Sequence, residues 1–540
     1  MVRHGLGIAI FSVLSAVSLS VIGCGGTGSG MGVLDPFPTG APSTSPGTST
    51  PVPPTPYDPT DKVNDVVATG DLRNPVYQYV DDGNNVYTVQ GYTATTSGMS
   101  DQQCKYRLLK YKTTDNNATP QEIEIEIRNA DNNNYTKGDL ANPYYITGII
   151  DDYGTAEAKG DDHLYLAITD LGTANALYLM DLGARQDGWN KAKAINVFNC
   201  GSDLKPNSLL TCSFGSTKFN RGQDAINTLF YTDYSDTTGA VRYVVFDEKF
   251  FKDAKLTDKL SDSDKCGIAL SNLNYPAVVK ANEGPWATVT CQGDSKVYFF
   301  ANNTTKADYE KKERAYPLTG QDNKYFNFIK PENKNIDLQN PYDFAWTSGV
   351  AEDGGDENYY LTIASGFTPK TTRASSPSDK CGLWMYKFNA AKYKDSLKNL
   401  NTNDGDYTLI DDLANEKSPY PVNITFTNNS SEQNDKRYLD IAYLTTGTAS
   451  INSQNDKELR GKLKFCRYDV KNKKLIEKSK ADLLTKIEDP FGLIALPGTL
   501  GTESYKVQFL FTTHWNWPAT ATEKSHIYSY SKNINLETDK

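Results

Sequence analysis

A proline beside an aromatic or apolar residue returns seven times along the chain, at Pro75, Pro143, Pro206, Pro276, Pro341, Pro419 and Pro490. The intervals are 68, 63, 70, 65, 78 and 71 residues. Between 12 and 24 residues after each proline comes a compact apolar strand with a central aromatic. These strands read "NVYTV" (Tyr87), "HLYLAI" (Tyr165), "TLFYT" (Phe230), "KVYFF" (Tyr298), "NYYLTI" (Tyr360), "RYLDIAY" (Tyr438) and "VQFLF" (Phe509). A further strand follows in most units: "YRLLKY", "ALYLMDL", "RYVVFD", "GLWMYKF", "KLKFCRYDV" and "HIYSYS", with only "RAYPL" in the fourth. Shorter segments such as "QEIEIEI", "KAINVF" and "YTLIDD" close several units.

Strands at such spacing, with no helical periodicity between them, argue against alternating strand-helix architecture. One four-stranded unit cannot bury both of its faces. Packing it between two copies keeps it dry, and closing the series into a ring leaves no end exposed. The repeat therefore predicts an all-β chain in which residues 61–540 form a seven-bladed β-propeller of four-stranded blades. A two-sheet sandwich of repeated hairpins is the alternative, although it has no need of seven similar units. Closure adds a sharper expectation. The stretch "DKVNDVVATGD" (61–71) precedes the first unit without a partner, so Val63–Ala68 is expected as the outer strand of the last blade, with "INLETDK" (534–540) as the competing segment. No Gly-His…Trp-Asp pair, kelch Gly-Gly doublet, Ser-x-Asp-x-Gly-x-x-Trp box or Tyr-Trp-Thr-Asp run occurs, so the chain resembles the architecture and none of its named families.

The N-terminus is of another kind. "MVRHGLGIAIFSVLSAVSLSVIGCGG" has a basic start at Arg3, an apolar stretch from Leu6 to about Ile22, and small residues leading to Cys24. No stop-transfer charges follow, which is the layout of a secretory signal rather than of a membrane span. Val21-Ile22-Gly23-Cys24 resembles a bacterial lipobox. The resemblance implies that residues 1–23 are removed as a lipoprotein signal peptide and that the Cys24 thiol carries a diacylglycerol. Multiple acyl chains, at about 0.8 kcal/mol per buried methylene, make a stable tether. Gly25 and Gly26 rather than Asp follow the cysteine, which by the same resemblance points to the outer membrane of a Gram-negative envelope. Residues 24–60 form a linker rich in Pro, Ser, Thr and Gly, nine prolines falling within 35–60. It cannot bury a core, and is expected to stay unfolded or PPII-like, reaching on the order of 100 Å at about 3.1 Å per residue.

Hydrophobic content is 38% and charge 23%, so the remainder is globular. Aromatics reach 11%, mostly the 34 tyrosines, which favours strands. The net charge of −10, or −11 once Arg3 is removed, argues against nucleic acid as a partner, because phosphate binding needs positive faces. No second apolar run approaches 18 residues. Apart from Cys24 the cysteines are Cys104, Cys200, Cys212, Cys266, Cys291, Cys381 and Cys466, none in CxxC spacing. An oxidising compartment permits disulfides, and Cys200–Cys212, separated by a turn, is the one pair the sequence suggests. The others read equally well as small buried hydrophobes.

In a propeller, turns after the first strand of each blade lie on one face and turns after the second on the other. The first set is acidic in several blades: "DDGNN" (81–85), "DDYGTAEAKGDD" (151–162) and "AEDGGDEN" (351–358). Clustered carboxylates suit Ca²⁺, but EF-hand spacing is absent here and in "DNNNYTKGD" (131–139), so solvated turns are the plainer reading and no metal is expected. The second set is long and polar: "SGFTPKTTRASSPSDK" (365–380), "TTGTASINSQNDKELRG" (445–461) and "THWNWPATATEKS" (513–525). Binding usually lives in such loops. Trp515 and Trp517 point the same way on an extended segment, with His514 and Asn516 on the other side. Together they suggest an aromatic platform for a sugar or a partner's apolar anchor, packing between blades being the competing role. Beyond the signal, the only histidines are His163, His514 and His526, and no Gly-x-Ser-x-Gly elbow, His-x-Glu-x-x-His pattern or phosphate-cradling Gly loop occurs. The expectation is a monomeric binding or scaffolding propeller, lipid-tethered to a bacterial envelope, for a protein or glycan. The alternatives are a polysaccharide-acting enzyme using two acids near the channel, and an envelope assembly factor pairing with exposed strands.

Overall fold

The computed structural model describes residues 63–65, 75–90, 106–113, 119–129, 134–151, 160–171, 176–198, 209–216, 227–234, 238–246, 250–251, 266–281, 286–301, 326–327, 338, 340–351, 357–366, 381–389, 406–413, 416, 420–427, 438–446, 461–470, 472–487, 490–500, 504–513 and 526–535. Among these the chain is a ring of seven sheets, antiparallel except where β6 joins β11. After β1 (Val63–Asp65), blade 1 holds β2 (Gln78–Val80), β3 (Asn85–Gln90), β4 (Arg107–Lys112) and β5 (Gln121–Glu122). Then come β6 (Glu124–Arg128) and β7 (Tyr135–Lys137), followed by β8 (Pro143–Asp151), β9 (His163–Asp170), β10 (Ala176–Ala184) and β11 (Lys191–Asn196) of blade 2. Blade 3 is β12 (Leu209–Ser216), β13 (Asn227–Asp233), β14 (Gly239–Phe246) and β15 (Cys266–Leu273). Blade 4 is β16 (Pro276–Ala281), β17 (Trp286–Cys291), β18 (Lys296–Ala301) and β19 (Phe326–Asn327). Blade 5 is β20 (Phe344–Ala351), β21 (Glu357–Ser365), β22 (Gly382–Asn389) and β23 (Asp406–Asp412). Blade 6 is β24 (Tyr420–Phe426), β25 (Tyr438–Thr446), β26 (Gly461–Asp469), β27 (Lys474–Leu475) and β28 (Ala481–Ile487); blade 7 is β29 (Pro490–Leu500), β30 (Ser504–Thr513) and β31 (His526–Asn535).

The ring closes as the orphan stretch required. β1 is the outer strand of blade 7, pairing Val63 with Tyr530, Asn64 with Ser529 and Asp65 with Tyr528. Residues 66–68 of the expected strand lie outside the described residues. Ile534 and Asn535, the start of the competing segment, instead extend β31.

Three details depart from the expected pattern. In the fourth unit, "KVYFF" is the third strand, β18, and the second is β17, "WATVTC". Its apolar positions carry no central aromatic, so the repeat slipped by one strand there; "RAYPL" (314–318) lies outside the described residues. Blade 2 has six strands rather than four. The segment "QEIEIEI" leaves blade 1 as β5, paired with β4, and continues as β6, parallel to β11 of blade 2. Ile123 and Ile125 are buried along this strap, so its alternation serves two blades at once. Blade 6 gains β28 beside β26.

Blade faces pack on their neighbours, which explains strands such as β13 that are buried at every position. Leu229 and Tyr231 face blade 2, packing with Tyr165, Ala167 and Leu179. Phe230, pointing the other way, joins Val279, Val289 and Phe300 of blade 4. Val86, Leu109 and Tyr111 of blade 1 meet Leu510 and Ile527 of blade 7. Full burial of such side chains contributes about 1.5–3 kcal/mol each.

A second repeat emerges only in the fold. Every second strand carries a fully buried threonine: Thr88, Thr169, Thr232, Thr290, Thr362, Thr445 and Thr512. Three donate across the seam to the innermost strand segment of the next blade: Thr169 Oγ1 to the Leu210 carbonyl (3.1 Å), Thr290 Oγ1 to that of Tyr342 (2.7 Å) and Thr512 Oγ1 to that of Val76 (2.8 Å). In blade 3 the tie is relayed, Thr211 donating its amide to Thr232 Oγ1 (3.0 Å) and its hydroxyl to the Ala277 carbonyl (2.8 Å). A register shift opens the start of the innermost strand in blades 2, 3, 4, 6 and 7, and the Leu210 and Ala277 acceptors lie at those of blades 3 and 4.

Candidate functional site

The innermost strands all begin at the same rim of the ring, where the connections after the second strands also emerge. There the side chains that follow the repeating proline converge on the axis. Tyr342 of blade 5 reaches Tyr77 of blade 1 and Tyr144 of blade 2, hydroxyl to hydroxyl at 3.2 Å in each case. Tyr77 also stands edge-on to Tyr144 and Phe491, at 5.6 and 6.3 Å between ring centres, and 4.5 Å from Tyr145. Tyr77, Tyr144 and Tyr342 are buried, and this plug joins blades 1, 2 and 5 across the ring. Burial raises the Tyr77 phenol well above its ordinary range, helped by neighbouring Tyr342 and Asp343, and burial likewise raises Tyr342 and Tyr145. These phenols are neutral hydrogen-bonding groups rather than nucleophiles.

Beneath the plug runs a belt of directional contacts. Lys280 of blade 4 donates to Asp343 Oδ1 (2.5 Å) and to the Phe344 carbonyl (2.6 Å). Asp343 Oδ2 also accepts from Asn423 Nδ2 (3.3 Å) and the Ile424 amide (3.1 Å) of blade 6. Asn423 Oδ1 accepts the Gly492 amide (3.0 Å) of blade 7, whose carbonyl accepts from Gln78 Nε2 (3.1 Å) of blade 1. Tyr111 completes the chain by donating to Gln78 Oε1 (2.8 Å). Gly492 has φ +65°, and a Cβ there would come within 2.6 Å of the Val76 carbonyl, so glycine lets blades 7 and 1 approach. The belt spans blades 4, 5, 6, 7 and 1, and each carboxylate oxygen of Asp343 is engaged in it.

Strand boundaries reveal an asymmetry at this rim. The connections after the second strands are residues 91–106, 366–381, 447–460 and 514–525 in blades 1, 5, 6 and 7. Those of blades 2, 3 and 4 are only 171–175, 234–238 and 292–295. The four long connections therefore belong to consecutive blades, 5, 6, 7 and 1, all within the arc that the belt ties together. The expected platform of His514, Trp515, Asn516 and Trp517 belongs to one of them and lies outside the described residues, as do Cys24, the signal segment and the linker.

On the opposite rim the carboxylates Asp81, Asp82 and Asp162 of the acidic turns in blades 1 and 2 are held by the protein itself, while residues 152–159 and 352–356 lie outside the described residues. Asp81 accepts from the Gly83 amide, the Asn85 amide and Asn85 Nδ2 (2.8 Å each), and from the Tyr87 hydroxyl (3.2 Å). Arg185 bridges Asp82 (2.7 Å) and buried Asp162 (3.1 Å) while stacking on Trp189, and so joins the turns of blades 1 and 2. Among the described residues no group of three or more His, Cys, Asp or Glu is arranged to hold a metal. His163 Nδ1 lies 3.2 Å from Asp181 Oδ1 in blade 2, and His526 stacks on Tyr528 in blade 7.

Cysteine pairing needs a correction. Cys212 is a free thiol buried in β12, its sulfur 4.0 Å from the Ala167 carbonyl, and so does not pair with Cys200. It points into the seam between blades 2 and 3, where a small apolar side chain is wanted; burial pushes the thiol well up. Cys291 and Cys466 are likewise buried free thiols, whereas Cys266 is disulfide-bonded.

No protein-family profile matches the chain, and neither does any curated protein sequence. Several solved structures are similar to it. They include a streptogramin B lyase (TM-score 0.39, 8% identity, 88% of this chain and 98% of that one). A six-bladed fungal lectin from Aleuria aurantia with a fucose recognition mode gives TM-score 0.33 at 10% identity, over 80% and 98% of the two chains. Chaetomium thermophilum Sqt1, bound to the N-terminus of a ribosomal protein, gives TM-score 0.37 at 9% identity, over 87% and 100%.

Proposed function

We propose that the chain is a membrane-tethered binding propeller that engages a protein or glycan at its loop-bearing rim. The observation that carries this reading is that four connections of 12 to 16 residues join the second and third strands of consecutive blades, the same blades that the belt wires together. A rigid ring holding polar loops is the usual arrangement for recognition. Their sequences combine Ser, Thr, Gly and Asn with Tyr92, Phe367, Trp515 and Trp517, a mixture of adaptable polar groups and flat anchors like that of antibody paratopes. The lipobox-like Val21–Cys24 and the proline-rich spacer support tethering at an envelope membrane, with the outer membrane favoured by Gly25 and Gly26.

The catalytic alternative has less support. Asp343, the carboxylate described beside the axis, is held by Lys280, Asn423 and the Ile424 amide. The test is binding of the full chain to a glycan panel and to envelope extract, beside a variant with 514–525 replaced by a four-residue turn and a Trp515→Ala, Trp517→Ala double variant. Binding that weakens at least tenfold in both, with unchanged circular dichroism, supports the proposal. Binding that survives shortening of all four loops, or turnover of a polysaccharide, overturns it. For the tether, Cys24→Ser should abolish incorporation of a fatty-acid probe and release the chain from membranes.

A further inference from the structure

Along β6 the outward residues are Glu124, Glu126 and Arg128. Each glutamate has a lysine opposite: Lys191 Nζ lies 3.3 Å from Glu124 Oε1, and Glu126 stands in register with Lys193 on β11 and Lys137 on β7. Arg128 has no carboxylate in the corresponding places. Its cross-strand partner on β7 is Tyr135, and β11 offers Ile195 one step beyond the Ala194–Ile127 pair. Arg128 is nonetheless 93% buried, its residual exposure being 7%. Its Nε and Nη1 have no hydrogen-bond partner among the described residues.

One further cation stands near, Lys193, which lies in register with both Glu126 and Asp181. The Arg128 guanidinium lies 6.0 Å from the centre of the Tyr135 ring, and Lys193 Nζ lies 5.6 Å from the same ring. Tyr135 is fixed, its hydroxyl donating to the Phe251 carbonyl (3.1 Å) of blade 3. Asp181, in register with Lys193, is engaged by His163 Nδ1 (3.2 Å) and the Gly183 amide (2.7 Å). A buried guanidinium with open donors is costly unless an anion meets it, and the forked geometry of arginine suits two oxygens at once.

We propose that Arg128, with Lys193 and Tyr135, forms an oxyanion-binding site at the seam between blades 2 and 3, taking a phosphate or the carboxylate of an acidic sugar. The site is separate from the loop-bearing rim, so its success or failure leaves that reading untouched. The test is thermal melting of the full chain in graded sodium phosphate and, separately, sodium glucuronate, at constant ionic strength set with chloride. A saturable rise is expected, about 3 °C at one hundred times Kd. Arg128→Met should melt no lower than the parent in chloride yet lose the rise, and Lys193→Gln should weaken the apparent affinity several-fold. A rise with phosphate alone assigns a tetrahedral anion, and a rise with glucuronate assigns the sugar carboxylate. No saturable rise with either anion, or the same rise in Arg128→Met, overturns the site. If Arg128→Met fails to fold, isothermal titration of Arg128→Lys decides: it should bind at least tenfold more weakly, and parent-like binding overturns the site.

Discussion

The two sides of the ring are built differently. Blades 2, 3 and 4 carry turns of four or five residues at the plugged rim, and the seams between them are chiefly aromatic and aliphatic. Tyr165 meets Phe246 at 5.2 Å and Phe251 at 5.7 Å, and Phe230 meets Phe300 at 5.3 Å. Blades 5, 6, 7 and 1 carry the long loops. They share an apolar core as well, but their seams add directional contacts. Asp440 of blade 6, held within its own blade by two nitrogens of Arg467 at 2.6 and 2.9 Å, accepts across the seam from Tyr505 of blade 7; blade 3 holds a comparable internal pair, Arg242 on Asp233. Tyr443 of blade 6 donates to Asp411 of blade 5, and Gln508 Nε2 of blade 7 to the Thr113 carbonyl at the edge of blade 1 (2.9 Å). Apolar packing tolerates small sliding of one sheet on another, whereas a hydrogen bond across the seam, such as that of Tyr505, Tyr443 or Gln508, fixes one geometry. The comparison suggests that polar seams hold the loop-bearing blades in register.

The largest effect is expected from removing Asp440, which strips fully buried Arg467 of its bidentate carboxylate. Asp440→Ala should cost about 3–5 kcal/mol in guanidinium unfolding, as much as Phe230→Ala on the apolar side. The sharper comparison replaces both charges, Asp440→Leu with Arg467→Met. Stability should largely return, while partner binding stays weakened if orientation is what the pair supplies. Normal binding by that double variant would break the proposed division of labour.

Cutting the belt is the next step down. Asn423→Leu strips a donor from Asp343 and an acceptor from the Gly492 amide, and should cost about 1–3 kcal/mol. Its urea midpoint should fall without a change in slope; an unaltered midpoint would mean that the belt contributes nothing to stability. The threonine ties occur on both sides and should not discriminate between them. Thr290→Val and Thr512→Val are each expected to cost about 1 kcal/mol, and a clear difference in their denaturation midpoints would show that the sides are tied unequally.

The smallest effect concerns a charge tetrad on blade 6. Lys462 and Lys464 each contact both Glu416 and Asp482, at 2.5–3.2 Å. At Asp482 burial works against ionisation, but both lysines outweigh it and hold the carboxyl below its ordinary value. At Lys462 burial also opposes the charge, and Asp482 and Glu416 overcome it, raising the ammonium. The Asp482 contribution is therefore present above the unfolded carboxyl pKa and lost as pH falls through the depressed folded value. The Lys462 contribution is complete below the unfolded lysine value of 10.5 and lost as pH rises through the raised one. These groups are partly exposed, so screening limits the gain to about 0.2–1 kcal/mol per pair. The stability gap between the parent and a Lys462→Met, Asp482→Asn variant should shrink at both pH extremes; a gap independent of pH would refute the assignment.

Much of the ring was legible because the proline marks where each innermost strand begins, and because both faces of "TLFYT" are apolar. The closing strand was legible from an unpaired stretch at one end of the repeat. The slip at "WATVTC" arose because Val289 and Ala287 fill the space that an aromatic fills elsewhere, so composition hid a strand that hydrogen bonding defines. The buried threonines carry no local signal of their role, since a hydroxyl in an apolar strand has meaning only when the acceptor across the seam is known.

By itself the sequence determined the number of wedges, their order and the need for them to meet in a circle, because the spacing of apolar strands fixes how much sheet each unit must hide. Only the tertiary structure decided what stands across each seam: that Tyr342 meets Tyr77 and Tyr144 on the axis, that one strap serves two blades, and that Arg128 is buried without a carboxylate opposite. Those pairings join residues as many as 265 positions apart, and no local pattern encodes which distant partner a side chain will face.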